Sequence, residues 1–527
     1  MSNSTNLTRL GLVALLSAPL LAPVASAEEI AGHPRDLQYD ELVFEVPEAD
    51  SMRHELPFGA VAYVSEDSSL PLVQISVRLR IGSFLEPADR VGVAGMVGEL
   101  MRTGGAGDLD PSAFDEAAAQ LAANFSASIG STSGNASLNC LSREIDACLD
   151  LFFSMMREPR FDADRLQLSK DNLLEDLKQR NDDPQSIASR EWRWLLNGTE
   201  HHASRLITKA SLDAVERDDL IAFHRDYWRP ETMVFAISGD VGTQDILGKI
   251  GERLKDWPAG GKEVPWPPPE PKHVPEPGIY VAQKDIPQGR VRIGHLGKKR
   301  VSWDNDDDLA LQLMNEILGG GGFTSRITKR VRSDEGLAYS AGSMFQVGQY
   351  DSGMFIAIYQ SKSETVALAA DIVLEELERI RTEPVTAEEL ETAKASFIDT
   401  FPSRFDSKAS ATSLFAQDEV LGRPHSYWTS YRDRLAAVTP ADIQRVANEY
   451  LRPDEAVVLI VGNWQAIEGG DADGRADIDS ALPGRTVVEL RARDPLTLDP
   501  TGNSTPSNLS NSAAASKDAA SFVLRAF

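Results

Sequence analysis

The feature that constrains this chain most is an internal repeat. The segment LDAVERDDLIAFHRDYWRPETMVFAISGDV, from Leu212, aligns without a gap with LAAVTPADIQRVANEYLRPDEAVVLIVGNW, from Leu435. Each copy has the pattern of a capped amphipathic helix, an Arg-Pro break and an apolar strand that ends at glycine. A helical segment from Asp164 corresponds in the same way to one from Glu388. A spacing shared by several elements predicts two homologous halves.

Each half combines strands with long helices. The segment LVQISVRLRI, from Leu72, alternates apolar and polar residues, which is typical of a strand with one buried face. We therefore predict an α+β fold class with two homologous lobes, each a mostly antiparallel sheet with helices packed on one face. Eight prolines within residues 256–277 predict an extended, semi-rigid linker, which would allow the second lobe to turn and face the first.

The two ends of the chain differ from its centre. Residues 1–27 have the pattern of a secretory signal peptide, in which Arg9 precedes a short apolar run and a small-residue cleavage site. We therefore expect an exported protein of the periplasm, or a secreted one, with an N-terminal lobe over 28–255 and a C-terminal lobe over 278–490. Residues 491–527 are low in complexity and are predicted to be a disordered tail. No later apolar run is long enough for a membrane span.

Composition excludes some classes of function and leaves others open. The net charge is -27 at pH 7, and because an acidic surface repels phosphate we expect no nucleic-acid partner. Export permits a disulfide between Cys140 and Cys148, and two buried thiols are the alternative. The adjacent pair His201-His202 suggests a metal site, but neighbouring side chains on a chain point apart, so we expect only loop polarity there.

The stretch GVAGMVGELMRTGG, residues 92–105, predicts a helix with one apolar face, although it contains Gly95 and Gly98. Each glycine costs about 1 kcal/mol relative to alanine inside a helix. In this stretch the chain resembles the pitrilysin/insulinase family of metallopeptidases, particularly the subunits similar to mitochondrial processing peptidase. The resemblance covers residues 40–490 and implies two lobes that form a clam-like chamber in which peptides are cleaved.

The resemblance also implies a zinc site, and this sequence departs from it. In active members the helix carries His-x-x-Glu-His, in which both histidines bind zinc and the glutamate acts as general base. These three positions align with Gly95, Gly98 and Glu99, and the third ligand position aligns with Asp176. We therefore expect no catalytic residue and no metal ligand in this chain. A weakly held divalent cation at Glu99 and Asp176 is the alternative to two solvated carboxylates.

A second signature of the family is kept, in LGGGGFTSRITKRVRSDEGLAYSAGSMF from Leu318. In active members the matching arginine and tyrosine face the zinc from the other lobe and hold the substrate backbone. The resemblance implies this role for Arg332 and Tyr339, whose guanidinium and hydroxyl are suited to it. The structural alternative is that they cap helices or pack the lobe. The other residues of the signature expected to bind substrate are Gly320, Gly321, Gly322 and Arg326.

Three functions are consistent with these features. The first is a non-catalytic subunit that supplies Arg332 and Tyr339 to a zinc-bearing sister subunit, as a heterodimer or alternatively a homodimer, so that the complex hydrolyses peptides. Under this hypothesis the chain holds no cofactor and zinc lies in the partner. The second is a peptide-binding or scaffold protein without a part in proteolysis. The third is an independent peptidase with an unusual metal site.

Overall fold

A computed structural model describes residues 33, 44–258, 260–471 and 473–501 of the chain. The described residues from Val46 onward form one compact unit that contains both lobes. The predicted signal peptide, residues 1–27, lies outside the described residues. In the part of the chain that is described, no helix is long and apolar enough to cross a membrane.

Each lobe contains a six-stranded sheet. The strands of the first sheet are β1 (Arg53–Glu55), β2 (Val61–Glu66), β3 (Leu72–Leu79), β4 (Asn124–Ile129), β5 (Gly134–Leu141) and β6 (Val234–Gly239). Those of the second sheet are β7 (Gly278–Gln283), β8 (Gln288–Leu296), β9 (Ala338–Gln346), β10 (Met354–Lys362), β11 (Val457–Gly462) and β12 (Val487–Leu490).

The two sheets share one topology. The first has the order β1-β2-β6-β3-β5-β4, in which only β2 and β6 are parallel. The second has the order β12-β7-β11-β8-β10-β9, in which β7 runs parallel to β11 and to β12. The five strands from β2 to β4 in the first order therefore match the five from β7 to β9 in the second, as the repeat predicts.

Helices surround both sheets. Those of the first half are α1 (Ala49–Met52), α2 (Val93–Thr103), α3 (Pro111–Gln120), α4 (Ile145–Arg157), α5 (Ala163–Gln179), α6 (Pro184–Asn197), α7 (Lys209–Ala214), α8 (Arg217–Tyr227) and α9 (Thr243–Lys255). Those of the second half are α10 (Asp307–Asn315), α11 (Arg326–Thr328), α12 (Val366–Thr382), α13 (Ala387–Ile398), α14 (Lys408–Leu421), α15 (Tyr427–Ala437), α16 (Pro440–Tyr450), α17 (Trp464–Glu468) and α18 (Ile478–Ala481). Helix α8 and helix α16 occupy the same positions in the aligned repeat.

The alternation predicted for the segment from Leu72 is present in β3. Its apolar side chains are buried in the core of the first lobe, against helices of the same lobe: Val73, Ile75, Val77 and Leu79. The residues between them are polar and point to the other face of the sheet: Gln74, Ser76 and Arg78. This arrangement confirms the predicted α+β fold class, with two lobes built on mostly antiparallel sheets.

The lobes are joined by an exchange of helices, which the sequence did not predict. Four apolar residues of α6, from the first half, share a core with β7, β10 and β11 of the second sheet: Ile187, Ala188, Trp192 and Leu196. Helix α14, from the second half, packs on β2, β3 and β6 of the first sheet. There Arg80 donates to the carbonyl oxygens of Glu419 and Val420. Each half therefore covers part of the other half's sheet.

The predicted linker and tail are only partly as expected. Among the described residues of 256–277 there is no helix or strand, and the linker remains a prediction. Residues 491–501, which were predicted to belong to a disordered tail, pack on the folded part instead. Arg493 forms an ion pair of 3.1 Å with Glu191 and accepts a hydrogen bond from the side chain of Asn181 through its carbonyl oxygen. Residues 502–527 lie outside the described part of the chain.

The two cysteines follow the second of the alternatives left open by the sequence. Cys140 lies in β5 and Cys148 in α4, and both are free and buried. Burial raises the pKa of both thiols, which keeps them protonated and unreactive. They act as small apolar side chains in the core of the first lobe.

Candidate functional site

Helix α2 occupies the place where the resemblance puts the zinc site. The buried Glu86 carboxylate accepts a hydrogen bond of 2.7 Å from the amide of Ala94, in the first turn of the helix. Burial raises the pKa of Glu86, although the hydrogen bonds from the helix N-terminus oppose this shift. The apolar face predicted for this helix is buried: Val93, Met96, Val97, Leu100 and Met101.

The two glycines inside α2 have different surroundings. A Cβ atom added at Gly98 would lie 2.5 Å from the backbone nitrogen of Ile129 and 2.7 Å from Cα of Ser128, both in β4. Glycine is therefore required there for the close approach of the helix to this edge strand. A Cβ atom added at Gly95 would have no heavy atom within 4 Å. At Gly98, which aligns with the general base, the backbone of β4 takes the space that a side chain would need. At Gly95, which aligns with the first zinc ligand, that space is free.

The carboxylate of Glu99 has a hydrogen-bond partner of its own on α5. The Glu99 carboxylate accepts a hydrogen bond of 2.7 Å from the hydroxyl of Ser169, on α5. Asp176 lies two turns further along α5, about 10 Å from Ser169 along the helix axis. Because catalytic zinc needs three protein ligands, the residues present on α2 and α5 do not fit the zinc ion of the family. This geometry favours two separate carboxylates over a shared cation.

Arg332 and Tyr339 lie together in an exposed cluster with Phe323. The guanidinium carbon of Arg332 lies 4.4 Å from the ring centre of Phe323 and 4.7 Å from that of Tyr339. The two rings are 65% and 84% exposed. Arg332 makes no hydrogen bond or ion pair with the described residues, so cation–π contacts alone orient it. The donors of the guanidinium are therefore free to bind a ligand.

The backbone around this cluster is unusual. Two π-helical turns, Glu316–Gly320 and Lys329–Asp334, flank the glycine-rich turn. Such turns are rare and often occur at functional sites. Gly320 and Gly322 are exposed and Gly321 is half-buried, so this turn lies at the surface next to Phe323. The structure thus brings the predicted glycines and the Arg332 cluster together.

Arg326 does not face this surface. It is buried and donates two hydrogen bonds to the Glu389 carboxylate, at 2.7 and 2.9 Å. Burial alone would raise the pKa of Glu389, but the hydrogen bonds from Arg326 and Thr386 lower it to about 2. Arg326 therefore ties the signature segment to helix α13, and our expectation that it contacts substrate directly does not agree with this geometry.

The structure also assembles a group that the sequence analysis dismissed. The rings of His201 and His202 are buried and stacked, with centres 4.3 Å apart. Their Nε2 atoms lie 3.3 and 3.8 Å from the same carboxylate oxygen of Asp351, in the second lobe. The expectation that the two side chains point apart was wrong, because a turn of 3-10 helix from His202 to Ser204 keeps both rings on one side. The adjacent histidines were the signal, but their partner is distant in sequence.

Two family models match this chain. Residues 61–207 match the family model described as insulinase (peptidase family M16), and residues 214–397 match the one described as peptidase M16 inactive domain. The chain is 24% identical to the non-peptidase homolog YmxG of Helicobacter pylori, over 80% of this chain and 96% of the relative. It is 22% identical to the zinc protease PqqE of the same organism, over 76% of this chain and 90% of the relative.

Two solved structures have a similar fold. A peptidase M16 inactive domain from Pseudomonas fluorescens matches with a TM-score of 0.68 and 24% identity, over 78% of this chain and 97% of that chain. The periplasmic protease PqqL from Escherichia coli matches with a TM-score of 0.66 and 14% identity, over 83% of this chain and 49% of that chain. At these identities the likeness establishes a shared fold.

Proposed function

This chain belongs to the insulinase family, peptidase family M16, and we propose that it acts there as the non-catalytic subunit of an exported peptidase. In this proposal it supplies Arg332 and Tyr339 to the substrate site of a zinc-bearing sister subunit, as a heterodimer. The partner holds the hydrolytic zinc, and the substrates are peptides. A homodimer would bring together two chains in which helix α2 has no zinc-binding histidines, so it would bind peptides without cleaving them.

One contrast within the chain carries this proposal. Helix α2, which aligns with the zinc-binding helix of the family, has no histidine, and its Gly98 packs against strand β4. In the Arg332 cluster, on the other lobe, the guanidinium lies between two exposed rings and has no ion-pair partner among the described residues. An unpaired cation and exposed aromatic side chains have no benefit for the stability of an isolated chain, and a partner or ligand gives them one.

The chemistry of the cluster suits a peptide in an extended conformation. The guanidinium can donate to backbone carbonyl oxygens, and the Tyr339 hydroxyl can donate toward the oxyanion that develops on a scissile carbonyl. Next to Tyr339, the face of the second sheet carries Met344 and Ile358, which are 46% and 41% exposed. Ile358 pairs with Gly342 in the ladder, so the two apolar side chains lie on the same face. This face could contact apolar side chains of the peptide.

The relatives support both parts of the proposal. In Helicobacter pylori, a non-peptidase homolog and a zinc protease both resemble this chain. An organism can therefore contain both kinds of chain, as a split peptidase requires. Two features support a periplasmic location: the predicted signal peptide and the likeness to the periplasmic protease PqqL. The alternative is a peptide-binding or scaffold protein, for which the apolar face beside Tyr339 would be sufficient.

Reconstitution separates these functions. The full chain is mixed with a zinc-bearing sister chain of the same organism, and hydrolysis of a fluorogenic peptide is measured with and without it. We expect little turnover by either chain alone. Tyr339→Phe should lower kcat of the complex by roughly 100-fold, the usual effect of losing one donor to an oxyanion. Arg332→Ala should lower activity through a raised KM, because the guanidinium holds the peptide backbone.

Lys329 provides the matched control. It is exposed, carries the same charge as Arg332, lies in the same π-helical turn, and its side chain makes no hydrogen bond or ion pair with described residues. Lys329→Ala should therefore leave kcat and KM unchanged. Equal activity of the Arg332→Ala and wild-type complexes would refute the subunit role and favour a scaffold. Peptide cleavage by the isolated chain would refute both.

A further inference from the structure

We propose that His201, His202 and Asp351 form a zinc site that joins the two lobes and is separate from the zinc helix of the family. The histidines belong to the segment between α6 and α7 in the first half. Asp351 lies in the turn between β9 and β10 in the second half. Within the part of the chain that is described, no other group of three or more His, Cys, Asp or Glu places its ligand atoms within 4.8 Å of one another.

Two of the three distances between the ligand atoms are close to those of a zinc site, and all three are within 4.8 Å. With bonds of about 2.0–2.1 Å, two ligand atoms of tetrahedral zinc lie about 3.4 Å apart. The Nε2 atom of His201 is 3.3 Å from Oδ2 of Asp351, and that of His202 is 3.8 Å from the same oxygen. A movement of about 0.4 Å by His202 would therefore complete this part of the geometry. The fourth position is left for water.

Two polar groups at this place have no partner of their own. Neither ring nitrogen of His202 makes a hydrogen bond with the described residues, although its side chain is only 5% exposed. The Oδ1 atom of Asp351 is also buried without a hydrogen bond. Buried polar groups are normally satisfied, because an unpaired one is costly. A cation held by Nε2 of His202 and by both carboxylate oxygens of Asp351 would give Oδ1 a partner, while Nδ1 of His202 would still have none among the described residues.

His201 needs a change of tautomer to act as a ligand. Its Nδ1 atom accepts a hydrogen bond of 3.1 Å from the amide of Ala203, so the neutral ring carries its proton on Nε2, directed at Asp351. In the zinc-bound form the proton lies on Nδ1 and the lone pair of Nε2 points at the metal, which gives up the hydrogen bond from Ala203. One hydrogen bond is exchanged for one coordination bond, and no proton is released from a neutral ring.

The site is shielded and has charges of both signs beside it. Arg205 is a positive charge that disfavours a cation here, and Asp351 is the negative charge that offsets it. The ring of Phe84 lies 6.1 Å from that of His202 and limits access by water.

The three ligands favour zinc over other cations. Two imidazoles and one carboxylate are typical ligands of zinc, whereas calcium and magnesium prefer oxygen ligands alone. The site would bind the segment before α7 to the β9–β10 turn. It would therefore act as a clasp between the lobes, independent of whether a partner subunit is bound. This proposal does not depend on the proposed function.

The experiment measures zinc bound by the full chain after dialysis against a chelator and re-addition of zinc. We expect one zinc ion per chain in the wild type. Asp351→Asn and His202→Asn should each weaken zinc binding by roughly 100-fold or more, since even the loss of an outer-shell partner costs 10–100-fold. Zinc should also raise the midpoint of thermal unfolding of the wild type, and not that of either variant. The absence of zinc from the wild type, or binding by either variant as tight as that of the wild type, would overturn the proposal.

Two control variants distinguish zinc binding at this site from non-specific binding and from a failed reconstitution. His425 is a histidine that also joins the halves, but its Nδ1 contacts Asp50 and its Nε2 lies 2.8 Å from the hydroxyl of Tyr63, so both nitrogens have partners. His425→Gln should retain the zinc, and its loss would indicate non-specific binding to histidines. Arg332→Ala should also retain it, so that a failed reconstitution and a failed zinc site give different results.

Discussion

The close contact of helix α2 with strand β4 predicts opposite effects for two substitutions that are chemically identical. Gly95 and Gly98 both lie inside α2, with no positive φ, so alanine suits the backbone at either position. Replacing a glycine by alanine inside a helix stabilises it by about 1 kcal/mol. At Gly95 a Cβ atom meets no heavy atom within 4 Å, so Gly95→Ala should stabilise the protein by about this amount.

At Gly98 the same gain is outweighed. The Cβ atom would lie 2.5 Å from the nitrogen of Ile129 and 2.8 Å from the carbonyl carbon of Ser128, and backbone atoms cannot rotate away as a side chain can. Overpacking of this kind costs about 1–3 kcal/mol, and contact with backbone places it at the upper end. After subtraction of the helical gain, Gly98→Ala should destabilise the protein by about 2 kcal/mol.

Urea denaturation followed by far-UV circular dichroism measures both changes. The midpoint should rise for Gly95→Ala and fall for Gly98→Ala, with unchanged slope. Equal stabilisation by both substitutions would show that α2 and β4 are not in close contact, and the reasoning would fail. The same contact implies that a transplanted His-x-x-Glu-His motif cannot restore hydrolysis by side chains alone, since a glutamate at position 98 would first have to push the helix away from β4.

Two further predictions concern acid. The pKa of Glu389 is lowered to about 2, so its contribution to stability is complete above its ordinary pKa near 4.5 and is lost as the pH falls toward 2. Arg326→Met should remove on the order of 1–2 kcal/mol of the difference in unfolding free energy between pH 5 and pH 3. His224 and His295 are buried, and burial lowers the pKa of each to about 4 despite hydrogen bonds to carbonyl oxygens. Because the unfolded chain takes up these protons first, stability should also fall between pH 6.5 and pH 4, and less steeply in His224→Gln.

The internal repeat allowed more of the fold to be predicted than the hydrophobic periodicity of single segments would have allowed. Helix α8 with β6, and α16 with β11, have the bounds that the gapless alignment implies. The exchange of α6 and α14 was not predictable in the same way. Amphipathic periodicity shows that a helix has an apolar face, but the face carries no information about which of two similar sheets it will cover.

The candidate site shows the same limit. The sequence was sufficient to place Arg332 beside Tyr339, because the residues belong to one continuous signature. It was not sufficient to show that Arg326, from the same signature, turns inward to Glu389, since that contact joins distant segments. The pairing of His201 with Asp351 was missed for the same reason.

The reciprocal placement of α6 and α14 has a consequence for how the molecule holds together. In physical terms the chain is a domain-swapped pair of similar protomers whose two copies are fused by a tether. If either half were expressed alone, the apolar side of its exchanged helix, α6 or α14, would have no sheet to cover. We therefore expect each half to be insoluble by itself. Proteolytic cutting of the proline-rich tether should, in contrast, leave both pieces associated and melting as one body.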